Sequence, residues 1–146
     1  MDTGELASNT FRGGFNCSQA VLSSFAGQFQ LDPATALKLG AAFGGGMGRT
    51  AGVCGAVSGA LMALGLKFGC TTPTDAQAKA RTYAKAEQLL KAFAARHGSI
   101  QCRDILGCDI STPDGLKQAQ DNKLFQTLCP DFVRTAAQIC EQLLKD

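Results

Sequence analysis

Residues 44–66 read GGGMGRTAGVCGAVSGALMALGL, a glycine-rich loop carrying Arg49 that runs into an apolar segment with Cys54 at its start. From Val53 to Leu66 the segment is apolar on every side, the pattern of a helix buried all round rather than one lying on a surface. It is therefore expected to be the core helix. Gly55 and Gly59 lie one turn apart, so a neighbouring backbone can approach closely there, while Cys54 and Ser58 share a different face. The run falls short of the roughly 20 apolar residues a membrane span needs, and Arg49 closely precedes it.

Composition narrows what surrounds this helix. With 146 residues, the chain is expected to form one domain over 1–146 and can bury a core without metals or disulfides to hold it. Fourteen Lys plus Arg stand against twelve Asp plus Glu, with no clustered basic tract, which argues against nucleic acid and anionic membrane as partners. The opening stretch MDTGELASNTFRGG has neither a basic nor an apolar segment of the export-signal kind, so the expected location is the cytoplasm. Seven cysteines are an odd count and a poor match to a secreted disulfide framework, which raises metal binding and reversible redox chemistry. There is no C-x-x-C and only one histidine, so the usual zinc, thioredoxin-like and haem-attachment signatures are missing.

Taken in order, the chain carries a series of helix starts. Asn16 caps a helix beginning at Cys17, with Gln19 placed for a capping box, and Val21, Phe25 and Phe29 follow at helical spacing. Asp32-Pro33 opens the next, which the glycines from Gly44 stop. After the core helix, Thr72-Pro73-Thr74 breaks the chain before the longest helix, about residues 75–97. Its expected buried stripe is Tyr83, Ala86, Leu90 and Phe93, with Lys79, Arg81, Lys85, Glu87 and Lys91 in water and Tyr83 serving as packing. Gly98 closes that helix, and His97 near its end sits where a positive charge is favoured. Ser99 caps a short helix holding Cys102, Ser111-Thr112-Pro113 is a weak further start, and Cys129-Pro130 opens the last helix. No segment alternates as a strand does. The expectation is an all-α, single-domain bundle of about five to seven helices around the buried Gly-rich central helix.

Cys17, Cys54, Cys102 and Cys129 each fall at a helix start; Cys70, Cys108 and Cys140 do not. Free N–H groups and the helix dipole favour negative charge there, which can lower a thiol pKa from about 8.5 to between roughly 3.5 and 7.5. The thiolate is the form that attacks disulfides and binds metals. Cys140 lies within an apolar stripe, where cysteine acts as a small hydrophobe.

The same positions resemble a family, the redox-active proteins named for the pattern C_GCAxxG_C_C. Its elements here are Cys17, then Cys54-Gly55-Ala56-Val57-Ser58-Gly59, then Cys102 and Cys129, with nearly the whole chain in register. The resemblance implies redox chemistry at the cysteines and leaves the substrate open.

Three readings follow. In the first, the four cysteines carry reversible thiol–disulfide exchange as a thiol-disulfide oxidoreductase with an unknown redox partner, in any of three pairings. In the second, the same four ligate an iron–sulfur cluster or another soft metal. In the third, they are packing residues of a non-catalytic helical interaction module, compatible with a homodimer. Gly55, Ser58, Gly59 and Arg49 surround Cys54 and are the candidates for holding a cofactor or ligand beside it, Arg49 and the loop N–H groups through an anion. The bland alternative for the loop glycines is a tight turn over the cysteines.

Overall fold

The described residues, 2–146 of a computed structural model, form eight helices of five residues or more. They are α1 (Thr3–Arg12), α2 (Cys17–Phe25), α3 (Pro33–Gly40), α4 (Gly55–Phe68), α5 (Ala76–His97), α6 (Cys102–Leu106), α7 (Pro113–Asp121) and α8 (Cys129–Leu144). Short helical turns occupy Ala41–Phe43, Gly44–Met47 and Leu124–Thr127. The all-helical class stands, and the count exceeds the expected range because α1 was not anticipated. No described helix is long and apolar enough to cross a membrane.

Local chemistry starts most of these helices. Asn16 Oδ1 accepts from Gln19 N–H at 2.9 Å while Gln19 Oε1 accepts from Asn16 N–H at 3.0 Å, the reciprocal box expected ahead of Cys17. Asp32, Asp75 and Thr112 cap α3, α5 and α7 through their side chains. Asp2 does the same for α1, accepting from Glu5 N–H at 2.8 Å.

Packing is built on small residues. On α4, Gly55, Ala56, Val57, Ser58, Gly59 and Ala60 are all buried. A Cβ at Gly59 would lie 2.8 Å from the Ser18 carbonyl oxygen, so α2 crosses α4 with its backbone against the helix surface. α8 packs against α1, α4, α5 and α2, and Phe25, Leu64, Leu89 and Phe93 are fully buried. Each such side chain contributes on the order of 1.5–3 kcal/mol on leaving water.

The longest helix is rotated from its expected phase. Tyr83 is 65% exposed, whereas Lys85, Leu89 and Phe93 are the buried residues of α5. Lys85 is accommodated by Asp146, 3.1 Å away, and by the Phe68 ring, 5.2 Å from its ammonium. Those partners lie outside the helix, so no reading of its own periodicity could place a lysine inward. Glu87 and Lys91, both expected in water, do lie on the exposed side and pair one turn apart at 2.6 Å.

Between α3 and α4 the glycine-rich stretch takes an unusual path. Gly45, Gly46, Met47, Gly48, Arg49 and Ala51 all have positive φ, between 61° and 70°. A side chain in that region costs about 1–2 kcal/mol, and three of these residues carry one. Gly46 is obligatory for a second reason, because a Cβ there would meet Gly52 N at 2.5 Å. The turn is closed by Ala51 N–H to Gly45 O at 3.1 Å and Gly52 N–H to Gly46 O at 2.9 Å.

Candidate functional site

Cys17 is the first residue of α2, Cys54 is the N-cap of α4, Cys102 begins α6 and Cys129 begins α8. All four line one cavity of about 580 Å³, together with Gly44, Gly45, Gly46, Gly48, Arg49 and Gly55. Distant parts of the chain therefore deliver their thiols to a common space.

Three contacts bring them there. The close approach of α2 to α4 sets Cys17 beside Cys54: a Cβ on Gly55 would lie 3.2 Å from Cys17 Cβ. An isolated antiparallel bridge pairs Val53 with Gln101. Its hydrogen bonds run from Cys54 N–H to Ile100 O at 2.8 Å and from Cys102 N–H to Gly52 O at 2.6 Å, which ties together the segments that enter α4 and α6, with Cys54 opposite Ile100 and Cys102 opposite Gly52. Arg103 adds to this junction by donating from Nε to Ala51 O at 3.1 Å. Cys129 enters from α8, whose Phe132 forms another part of the wall.

Thiol acidity departs from the expectation. Cys17 has two thiol neighbours that act on its acidity, Cys129 and Cys54. The Cys129 interaction pushes the Cys17 thiol well above the ordinary range; the interaction with Cys54 opposes this, while burial and the charges of Cys129 and Cys102 reinforce it. The Cys54 thiol is also pushed well up, first by its hydrogen bond to Cys17 and then by burial. The N–H groups of Ala56 and Val57 favour its thiolate, as a helix N-terminus should, but are outweighed. Burial, followed by the nearby charges of Cys54, Cys108 and Asp109, carries Cys102 up to about 12. Low-pKa thiols are thus corrected to protonated ones at Cys17, Cys54 and Cys102. The helix-end effect is local and real, yet crowding thiols out of water works against a thiolate at Cys17, Cys54 or Cys102.

All seven cysteines are free; Cys17 is half-buried, whereas Cys54, Cys102 and Cys129 are buried. Among the described residues, no group of three or more His, Cys, Asp or Glu side chains is arranged to hold a metal ion. Cys140 is fully buried and donates weakly to Ala60 O at 3.5 Å, and burial raises it to about 12, in keeping with a packing role. Cys70 is exposed, and Cys108 is half-buried near Cys102.

The other candidates divide. Arg49 and Gly55 line the cavity. Ser58 and Gly59 do not: Ser58 Oγ donates back to Cys54 O at 3.5 Å, and the space beside Gly59 is filled by α2. Both are buried in the packing of α4. His97 Nε2 lies 3.0 Å from Thr135 Oγ1, and its ring packs 4.9 Å from those of Phe93 and Phe132. Burial and then Arg96 lower its pKa, so the positive charge expected at this helix end is disfavoured. Sequence reading missed the cavity walls supplied by Phe11, Ile105, Ile110 and Phe125. The Asp2-x-x-Glu5 spacing was a usable signal for the helix that carries Phe11.

No curated protein and no solved structure matches the chain. One family model does, over residues 15–143, described as "Putative redox-active protein (C_GCAxxG_C_C)". The chain belongs to the C_GCAxxG_C_C family.

Proposed function

We propose that the chain works as one unit in which Cys17, Cys54, Cys102 and Cys129 carry reversible thiol–disulfide chemistry, with Cys17 as the sulfur that changes partners. The observation that carries this reading is the position of Cys17. It has the greatest access of the four cavity cysteines, and it shares the cavity with Cys54 and Cys129, the two thiols that act most strongly on it. A sulfur that must attack an incoming disulfide and then be attacked by an internal thiol needs those two properties together. Cys54 and Cys129 are the two internal candidates, and Cys102 is tied by its N–H to Gly52 O, in the segment that leads into Cys54.

Direction is part of the proposal. Thiols that resist deprotonation gain no thiolate stabilisation in their reduced state, so the pair gives up electrons more readily than one with acidic thiols. The protein is then a reductant of its partner.

The test is oxidation of the anaerobically purified, fully reduced chain with a mild disulfide, followed by peptide mapping. The expected result is loss of two free thiols, with Cys17 in the new disulfide and Cys54 or Cys129 as its mate. Stoichiometric iron or another soft metal in the same preparation would favour the ligand reading of the four cysteines. Unchanged thiol counts without metal would leave them as packing residues.

A further inference from the structure

We propose that the cavity takes a small disulfide bearing a carboxylate, with Arg49 selecting the anion, an inference that rests on the redox reading above. Three observations converge on it. At about 580 Å³ the cavity has the size of a small-molecule site. Its walls include Phe11, Ile105, Ile110 and Phe125, and Arg49 is the only charged residue lining it. Among the described residues Arg49 makes no ion pair, and no carboxylate lines the cavity to neutralise it.

The placement of Arg49 is specific. Its φ is 65°, a conformation an arginine adopts only when its surroundings enforce it. Gly45 leaves room for its stem, since a Cβ there would lie 2.9 Å from Arg49 Cγ. The loop thus sets Arg49 in the wall of a thiol-lined, otherwise uncharged space, from which its guanidinium can bind a carboxylate in a two-pronged fashion. Three of the four sulfurs are buried, which favours a substrate small enough to enter over a protein surface.

The step balances within the two reactants. Deprotonated Cys17 attacks one sulfur of R–S–S–R, its S–S bond breaks, and one RS⁻ leaves and takes a proton. Cys54 or Cys129 then attacks Cys17 in the mixed disulfide, releasing the second RSH. The substrate disulfide gains two electrons and two protons, and the protein dithiol becomes an internal disulfide.

The experiment is a single-turnover comparison with pre-reduced full-length chain and three probes: dithiodipropionate (anionic), bis(2-hydroxyethyl) disulfide (neutral) and cystamine (cationic). Thiol release gives a rate for each. The readout is the ratio of anionic to neutral rate, which does not depend on how much of a variant is folded. We expect that ratio to fall about fivefold in Arg49→Gln, the upper range for one exposed ion pair, and to be retained in Arg49→Lys. An unchanged ratio in Arg49→Gln, with the neutral probe still oxidising Cys17, would overturn the anion assignment alone. No reaction with any probe would overturn the redox reading and this inference with it.

Discussion

Cys17 and Gly55 meet face to face: the Cβ of Cys17 stands 3.2 Å from where a side chain on Gly55 would begin, and Ser18 N is equally near. The cysteine site therefore depends on two helices touching through a residue without a side chain. One turn further along, Gly59 repeats the contact against Ser18 O.

Gly59→Ala tests that dependence because two effects oppose each other. Alanine is the better helix former by about 1 kcal/mol. Its methyl, however, would sit 2.8 Å from a backbone oxygen that moves only if α2 moves. We expect the clash to win, with a net loss of roughly 1–3 kcal/mol in denaturant unfolding. Because α2 carries Cys17, disulfide formation by Cys17 should slow in the surviving folded fraction. A stabilised variant would mean that α2 does not lie against this face.

Alkaline pH should weaken the fold. Cys102 and Cys140 are raised from the ordinary 9.0 to about 12, and Cys17 and Cys54 are raised as well. Between those limits the unfolded chain releases thiol protons that the folded chain retains. The stability is fully present below about pH 9 and is lost as pH rises toward the folded-state values. Cys140→Ala separates packing from titration, since it removes one such group outside the cavity. It should cost about 1 kcal/mol near pH 8 through lost packing, and less near pH 10.5, as read from urea midpoints. A cost that does not shrink with pH would show that Cys140 does not titrate in this window.

The helix starts were legible because caps are local. Asn16 and Gln19 meet within three residues of sequence, and so do Asp32 and Thr35, so the positions of Cys17 and the α3 entry could be read directly. The inward turn of Lys85 was not legible, because Asp146 supplies its counter-charge from the far end of the chain. α1 escaped notice for a related reason: its buried residues are Gly4, Ala7 and Ser8, which make no conspicuous apolar stripe. At the site, sequence placed each cysteine on a helix end correctly and misjudged the acidity of Cys17, Cys54 and Cys102. The helix end is a property of each segment, whereas the burial and thiol–thiol contacts that override it exist only once four segments have assembled.

That reversal of acidity leads to a measurable potential. Dithiol pairs that oxidise strongly, near about −120 mV, do so because their reduced form is stabilised, and reducing pairs lie near about −270 mV. With Cys17 and Cys54 both raised, thiolate stabilisation of the reduced state is withheld, so equilibration against a glutathione buffer should place the Cys17 couple nearer the reducing value. The same fact fixes the pH response. Two protons accompany two electrons as long as both thiols stay protonated, which gives a slope of about −59 mV per pH unit. For a Cys17–Cys54 couple that slope should persist through neutral pH and beyond the ordinary 9.0 without the flattening that an acidic thiol would introduce. A break in the slope below about pH 8 would mean that one sulfur of the couple ionises early, and a reduced site with Cys17 and Cys54 both protonated would then be the wrong description.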